Sequence, residues 1–142
     1  MKVYVDASFL VSLYCPDANS AAAAQAVKSS TGERFVTVLG ELEVLNAFGL
    51  RVFRREVTAA QAQSSLTDFE KDLRDGIFQL RGLPDPVFER ARQLSRQTTA
   101  KLGTRSADIL HVAAALELGA DYLYSFDQHQ RKLAQTVRLK VN

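Results

Sequence analysis

Lys2-Val3-Tyr4-Val5-Asp6 is the stretch on which the reading of this chain turns. Three β-branched or aromatic residues in a row read as a short buried strand, and a carboxylate follows at once. A charge directly after a buried strand either caps the next helix or binds something. Working outward, Ser8 is the expected cap of a helix reaching about Leu13. Pro16 and Asp17 then open an Ala-rich helix to about Val27, with an acid near its positive end. Phe35-Val36-Thr37-Val38 is a second buried strand.

A helix is expected over about 39–55, with Leu42, Leu45, Val52 and Phe53 as its apolar side. Thr58 caps another through about Leu73, and Gly76 ends it. Ile77-Phe78-Gln79-Leu80 reads as a third strand, and Asp85-Pro86 starts a helix to about Leu102. A further helix spans about 105–118, Tyr122-Leu123-Tyr124-Ser125 is a fourth strand, and 127–135 is a short helix. Val137 to Val141 alternates as an edge strand would. Short apolar strands separated by helices predict an α/β fold, a central and mostly parallel sheet of about five strands between two helical layers.

The 142 residues fit a single domain, 1–142. Apolar residues make up 46% and charged residues 24%, a balance that excludes a disordered or low-complexity chain. The apolar start is too short for a signal peptide, and no run approaches the roughly 20 residues that span a bilayer, so a cytoplasmic protein without a membrane partner is expected. Cys15 is the one cysteine, so neither a disulfide framework nor a zinc cluster is available. A net charge of +2 does not announce nucleic acid. Arginines do gather locally, at Arg51, Arg54 and Arg55 and at Arg90, Arg92 and Arg96, which solvated helix faces also explain.

In open parallel sheets, ligands bind beyond the carboxyl ends of the strands. Asp6 ends the first strand and Asp127 follows the fourth; Glu43 and Asp108 lie early in helices beside that rim. Such carboxylates repel one another unless a cation joins them, and oxygen-only donors select magnesium or manganese over zinc. Each acid also has a plainer use. Asp6 suits a helix cap, Asp108 suits a helix start with Arg105 as its surface partner, and Asp127 with Gln130 has the form of a capping box. Glu41 competes with Glu43, and spacing does not separate them. His111, three residues after Asp108, fits a packed and hydrogen-bonded interior histidine as well as a group that orients an acid.

Taken together, the motifs resemble the PIN-domain family, and within it the VapC-type toxins of toxin–antitoxin pairs. Val3-Tyr4-Val5-Asp6-Ala7-Ser8 looks like the family's opening strand, with its first acid and a hydroxyl two residues on. Glu43-Val44-Leu45-Asn46-Ala47 resembles the second motif and favours Glu43 over Glu41. Asp108-Ile109-Leu110-His111-Val112-Ala113-Ala114-Ala115 resembles the third, and Ser125-Phe126-Asp127 the fourth, with serine where threonine is more usual. The resemblance covers essentially the whole chain. It implies a magnesium- or manganese-dependent ribonuclease, with Asp6, Glu43, Asp108 and Asp127 holding one or two ions. Ser8 and Ser125 would support these ligands, and Arg51 and Arg54 would guide the RNA backbone. A homodimer and a small antitoxin partner are implied as well. Two rivals stand beside this reading. One is a catalytically silent RNA- or protein-binding module of the same fold; the other is an aspartate-nucleophile phosphatase or phosphotransfer domain using Asp6. No Gly-rich phosphate loop follows the first strand, which weighs against a nucleotide-binding domain.

Overall fold

A computed structural model describes residues 1–142. Five parallel strands form one sheet in the order β3-β2-β1-β4-β5. The strands are β1 (Lys2–Val5), β2 (Glu33–Thr37), β3 (Gln79–Arg81), β4 (Tyr122–Tyr124) and β5 (Lys140–Val141). The chain winds outward from β1 to β3, then crosses back to β4 on the far side of β1. The strand order therefore reverses between β1 and β4, and a crevice opens there at the carboxyl ends.

Alternation along the strands divides the core in two. Val3, Val5, Val36 and Tyr124 face one layer, where they meet α1 (Ala7–Tyr14), α2 (Ser20–Ser29), α3 (Val38–Phe53) and α4 (Ala59–Arg74). Tyr4, Phe35 and Leu123 face the other, against α5 (Val87–Leu94), α7 (Ser106–Glu117) and α8 (Gln128–Thr136). Between α5 and α7 the helix passes through a π-helical turn, Ser95–Thr99, into a short α6 (Ala100–Leu102). Gly103, at φ +63, ends it in the left-handed conformation that glycine adopts without strain. The expected α/β/α architecture is present.

Several local expectations need correction. The cap of α1 is Asp6, not Ser8; its side chain accepts from the Phe9 N–H. The Ala-rich helix starts at Ser20 because Asp17 closes a turn first, its own N–H donating to Ser20 Oγ at 2.8 Å. The third strand begins two residues late. The Ile77 N–H is still bonded to Asp72 O, and pairing with β2 starts only at Gln79. Residues 137–139 are tied to the end of α8, with Leu139 N–H on Ala134 O and Arg138 at φ +65, leaving a two-residue β5. The buried side of α3 is Gly40, Val44 and Phe48, whereas Leu42, Leu45 and Phe53 face outward, Phe53 at 83% exposure.

Candidate active site

Asp6 leaves β1 at the crevice and is fully buried. Its backbone N–H reaches across to Tyr124 O at 3.1 Å, which fixes it beside the end of β4. One carboxylate oxygen, Oδ1, accepts from the Phe9 N–H at 2.9 Å and from Ser8 Oγ at 2.7 Å. The other accepts from Ser125 Oγ at 2.5 Å. All three donors are neutral, and no lysine or arginine pairs with Asp6. Burial accordingly pushes its carboxyl above the usual range, and the donors from Ser125 and Phe9, the charge interaction with His111 and the Ser8 hydroxyl offset part of that rise.

The two serines do more than hold Asp6. Ser8 Oγ accepts from the Phe126 N–H at 2.9 Å, and Ser125 Oγ accepts from the Asp127 N–H at 3.0 Å. The β1 and β4 exits are thus laced into one hydrogen-bonded unit containing Asp6, Ser8, Ser125 and Asp127. The Ser125 loop is braced from behind, where its N–H donates to Asn142 Oδ1 at 2.7 Å and Arg131 donates to its carbonyl at 2.9 Å.

Asp127 caps α8 through the Gln130 N–H at 3.0 Å. The second half of the expected capping box is missing, because the Gln130 side chain turns to Asp108 Oδ1 at 3.4 Å. Asp108 is 2% exposed, at the start of α7, where Oδ2 accepts from the Arg105 N–H at 3.1 Å. The Arg105 guanidinium lies 3.4 Å from Asp108 and 3.6 Å from Asp127, so one exposed cation bridges both acids. Sequence reasoning missed Gln130 as a link between them. Its Oε1 is buried with no partner. The only signal was a polar residue one helical turn beyond Asp127.

Glu43 reaches the rim from α3 but is tied to none of the other acids. Its partner is His111 Nε2, from the fully buried His111 of α7. Glu41 takes no part in the groove that Glu43 lines. That groove, about 540 Å³, is lined by Ser8, Asp127, Glu43, Arg51 and Arg54, while Asp6 and Asp108 lie behind its surface. Arg54 is exposed, while Arg51 is ion-paired with Asp17 at 3.4 Å. No three acidic, histidine or cysteine side chains converge closely enough to enclose an ion as the side chains stand. The donor chemistry nonetheless suits a hard divalent cation: every candidate donor is oxygen, and the most buried carboxylate carries no neutralising partner.

Comparison with known proteins adds the following. The PIN domain family model matches residues 3–135. The fold is similar to that of the sarcin–ricin-loop-cleaving toxin VapC20 of Mycobacterium tuberculosis, with TM-score 0.68 and 17% identity over 92% of this chain and 93% of that one. It is similar to VapBC2 of Rickettsia felis, solved with a DNA fragment from its promoter: TM-score 0.68 and 15% identity over 100% and 98% of the two chains. FitAcB of Neisseria gonorrhoeae gives TM-score 0.67 and 14% identity over 98% and 95%. At such identities the likeness is one of fold. No curated protein matches the chain.

Proposed function

The chain belongs to the PIN-domain family, and on that footing we propose that it is a divalent-metal-dependent endoribonuclease, the toxin of a VapBC-type pair. The observation that carries the reading is Asp6: a wholly buried carboxylate, without a cation, at the point where strand order reverses. Burying a lone charge is costly, and folds keep such groups where a ligand completes them. Asp6, Glu43, Asp108 and Asp127 would hold magnesium, or manganese in its place. The ion, when bound, supplies a water of lowered pKa and neutralises charge on the scissile phosphate.

The protein's own residues do the positioning. Ser8 and Ser125 hold the Asp6 carboxylate by one hydroxyl each and lock it to the Asp127 loop. Arg54 and Arg51, which line the same groove as Asp127, would meet the phosphate backbone; Arg51 would first have to release Asp17. Such contacts give affinity and salt sensitivity, while sequence choice would come from an exposed RNA loop. The homodimer and the antitoxin belong to the same proposal. The outward stripe of Val38, Leu42, Leu45 and Phe53 on α3 is the apolar surface that supports an association, and the fold neighbours include the toxin VapC20 and VapBC2 bound to promoter DNA. No helix is long and apolar enough to cross a membrane, and action in the cytoplasm is part of the proposal. The phosphatase rival is weakened by Ser8, which stands two residues after Asp6 where enzymes of that class often carry a second aspartate.

The test is cleavage of a mixed cellular RNA pool by partner-free wild type and Asp6→Asn, with magnesium, with manganese and with chelator. Discrete metal-dependent cuts by wild type alone are expected. Cuts that persist in chelator, or a folded Asp6→Asn protein cutting at the wild-type rate, would overturn the assignment. No cuts from folded wild type would favour the silent binding module.

A further inference from the structure

The buried polar groups behind Glu43 form a single line that the proposed chemistry leaves unexplained. Tyr4 stands in the middle of β1 with its hydroxyl fully buried, 3.1 Å from Thr37 Oγ1 and 2.8 Å from His111 Nδ1. His111 Nε2 meets Glu43. At the other end, Thr37 caps α3 by accepting the Gly40 N–H at 3.3 Å. Gly40 keeps this corner tight: a Cβ there would lie 2.9 Å from Val36 Cγ2 and 4.0 Å from the His111 ring. Four groups from β1, the β2 exit, α3 and α7 are thus joined across the sheet's carboxyl end.

Their donors and acceptors fit together in only one direction. A Glu43 carboxylate can only accept, so His111 must donate from Nε2. A neutral ring then has a bare Nδ1, which takes the Tyr4 hydroxyl proton. Tyr4 oxygen in turn accepts from Thr37, whose oxygen accepts from Gly40 N–H. Every proton has an acceptor along this path. Run the other way, the Thr37 hydroxyl proton would have none, since its recorded contacts are the Tyr4 hydroxyl and the Gly40 N–H. Burial also raises the Tyr4 phenol well above its ordinary range, keeping it a donor.

From this geometry we infer that His111 is a positioning residue: Tyr4 and Thr37 fix its Nε2–H tautomer, and that tautomer holds Glu43 turned to the rim. The role assigned to Glu43 rests on the nuclease reading above; the tautomer does not. The helix cap of α3 and the aim of its acid are then set by the same buried line.

The experiment has two arms. In the first, the ring nitrogens of His111 are read by ¹⁵N NMR in metal-free wild type; the chain has two histidines, and a His129→Gln variant assigns them. A protonated Nε2 with bare Nδ1 is expected. A protonated Nδ1, on a neutral or a charged ring, overturns the inference whether or not the protein is a nuclease. In the second, His111→Gln, His111→Asn and His111→Leu are compared after circular dichroism confirms folding. Glutamine can place an N–H where Nε2 stood, and asparagine cannot. His111→Gln should stay within about threefold of wild type in kcat and in Mn²⁺ affinity, and the other two should lose about 10–100-fold, with KM for RNA unchanged. Equal losses in glutamine and leucine variants, or none in either, would overturn the positioning role. Absence of cleavage by wild type would instead strike the nuclease reading and leave the first arm to decide.

Discussion

Two groups of aspartates in this molecule are treated in opposite ways. On α4 and its end, Asp75 pairs with Lys71 at 2.6 Å, with both side chains more than half exposed, and Asp72 accepts from Tyr14 at 2.5 Å. These acids have local partners within a helical turn or across a neighbouring helix, and water completes their solvation. At the rim, Asp6 is entirely out of water and is met only by hydroxyls and an amide. Asp108 is nearly as buried and shares one exposed arginine with Asp127. An exposed ion pair contributes little and asks for nothing further. A buried carboxylate without a cation costs stability until a proton or a cation neutralises it. The difference separates a surface decoration from a site.

The largest test of that contrast is catalytic. Asp6→Asn should lower metal-dependent cleavage by about a thousandfold or more, the scale of several kcal/mol of lost charge stabilisation. Asp75→Asn, measured in the same assay, should leave it within about twofold. Loss of activity in both would erase the distinction.

Stability offers the next test. Ser125→Ala removes the 2.5 Å donor from a buried acceptor and should cost about 1–3 kcal/mol in denaturant unfolding. Lys71→Ala, which breaks an exposed pair, should leave the unfolding midpoint essentially where it is in wild type. Equal effects would mean that the rim is no more committed than the helix surface.

The pH dependence has a definite sign. The folded-state pKa of Asp6 lies above its ordinary value of 3.8, chiefly through burial. The protonated form therefore favours folding. The contribution is complete below the unfolded value and is lost as pH rises through the folded one. Near neutrality, in chelator, Asp6→Asn should be more stable than wild type, and the gap should close as pH falls toward 4. A gap that widens on acidification would contradict the account.

The smallest effect is expected from Arg105. Arg105→Ala leaves Asp108 and Asp127 without their shared exposed cation. It should tighten Mn²⁺ binding a few-fold, because a competing charge is removed. Weaker binding would place Arg105 among the groups that help hold the ligand.

Much of this arrangement could be read in the chain. β1 and β4 hold short apolar runs and β2 has its own at Phe35 and Val36, as centrally placed parallel strands do; Asp6 stands out because charge follows β1 at once, and Asp127 because it comes shortly after β4. The edges were harder. β3 and β5 pair on one side only, and their short extents depend on how α4 and α8 end rather than on strand composition. α3 misled for another reason. Leu42, Leu45 and Phe53 are apolar yet turned outward, and an apolar face awaiting a partner has the same pattern as one facing the core. Position along the chain pointed to Asp6, Asp108 and Asp127 as candidates, and the motif resemblance chose Glu43 over Glu41. The links among them stayed hidden, because Gln130 to Asp108, Arg105 across two acids, and Tyr4 through His111 to Glu43 each join side chains from separate elements. His111 was conspicuous as a neighbour of Asp108 three residues on, not as a partner of Glu43.

The central claim is that the rim carboxylates form a divalent-cation site that relieves the buried Asp6, and its most direct measurement is the thermal midpoint of metal-free wild type and Asp6→Asn as Mn²⁺ is added. The account predicts a midpoint that climbs with Mn²⁺ in wild type, as ligand linkage requires, and stays flat in Asp6→Asn. The same rise in both proteins, or none in wild type, would contradict it.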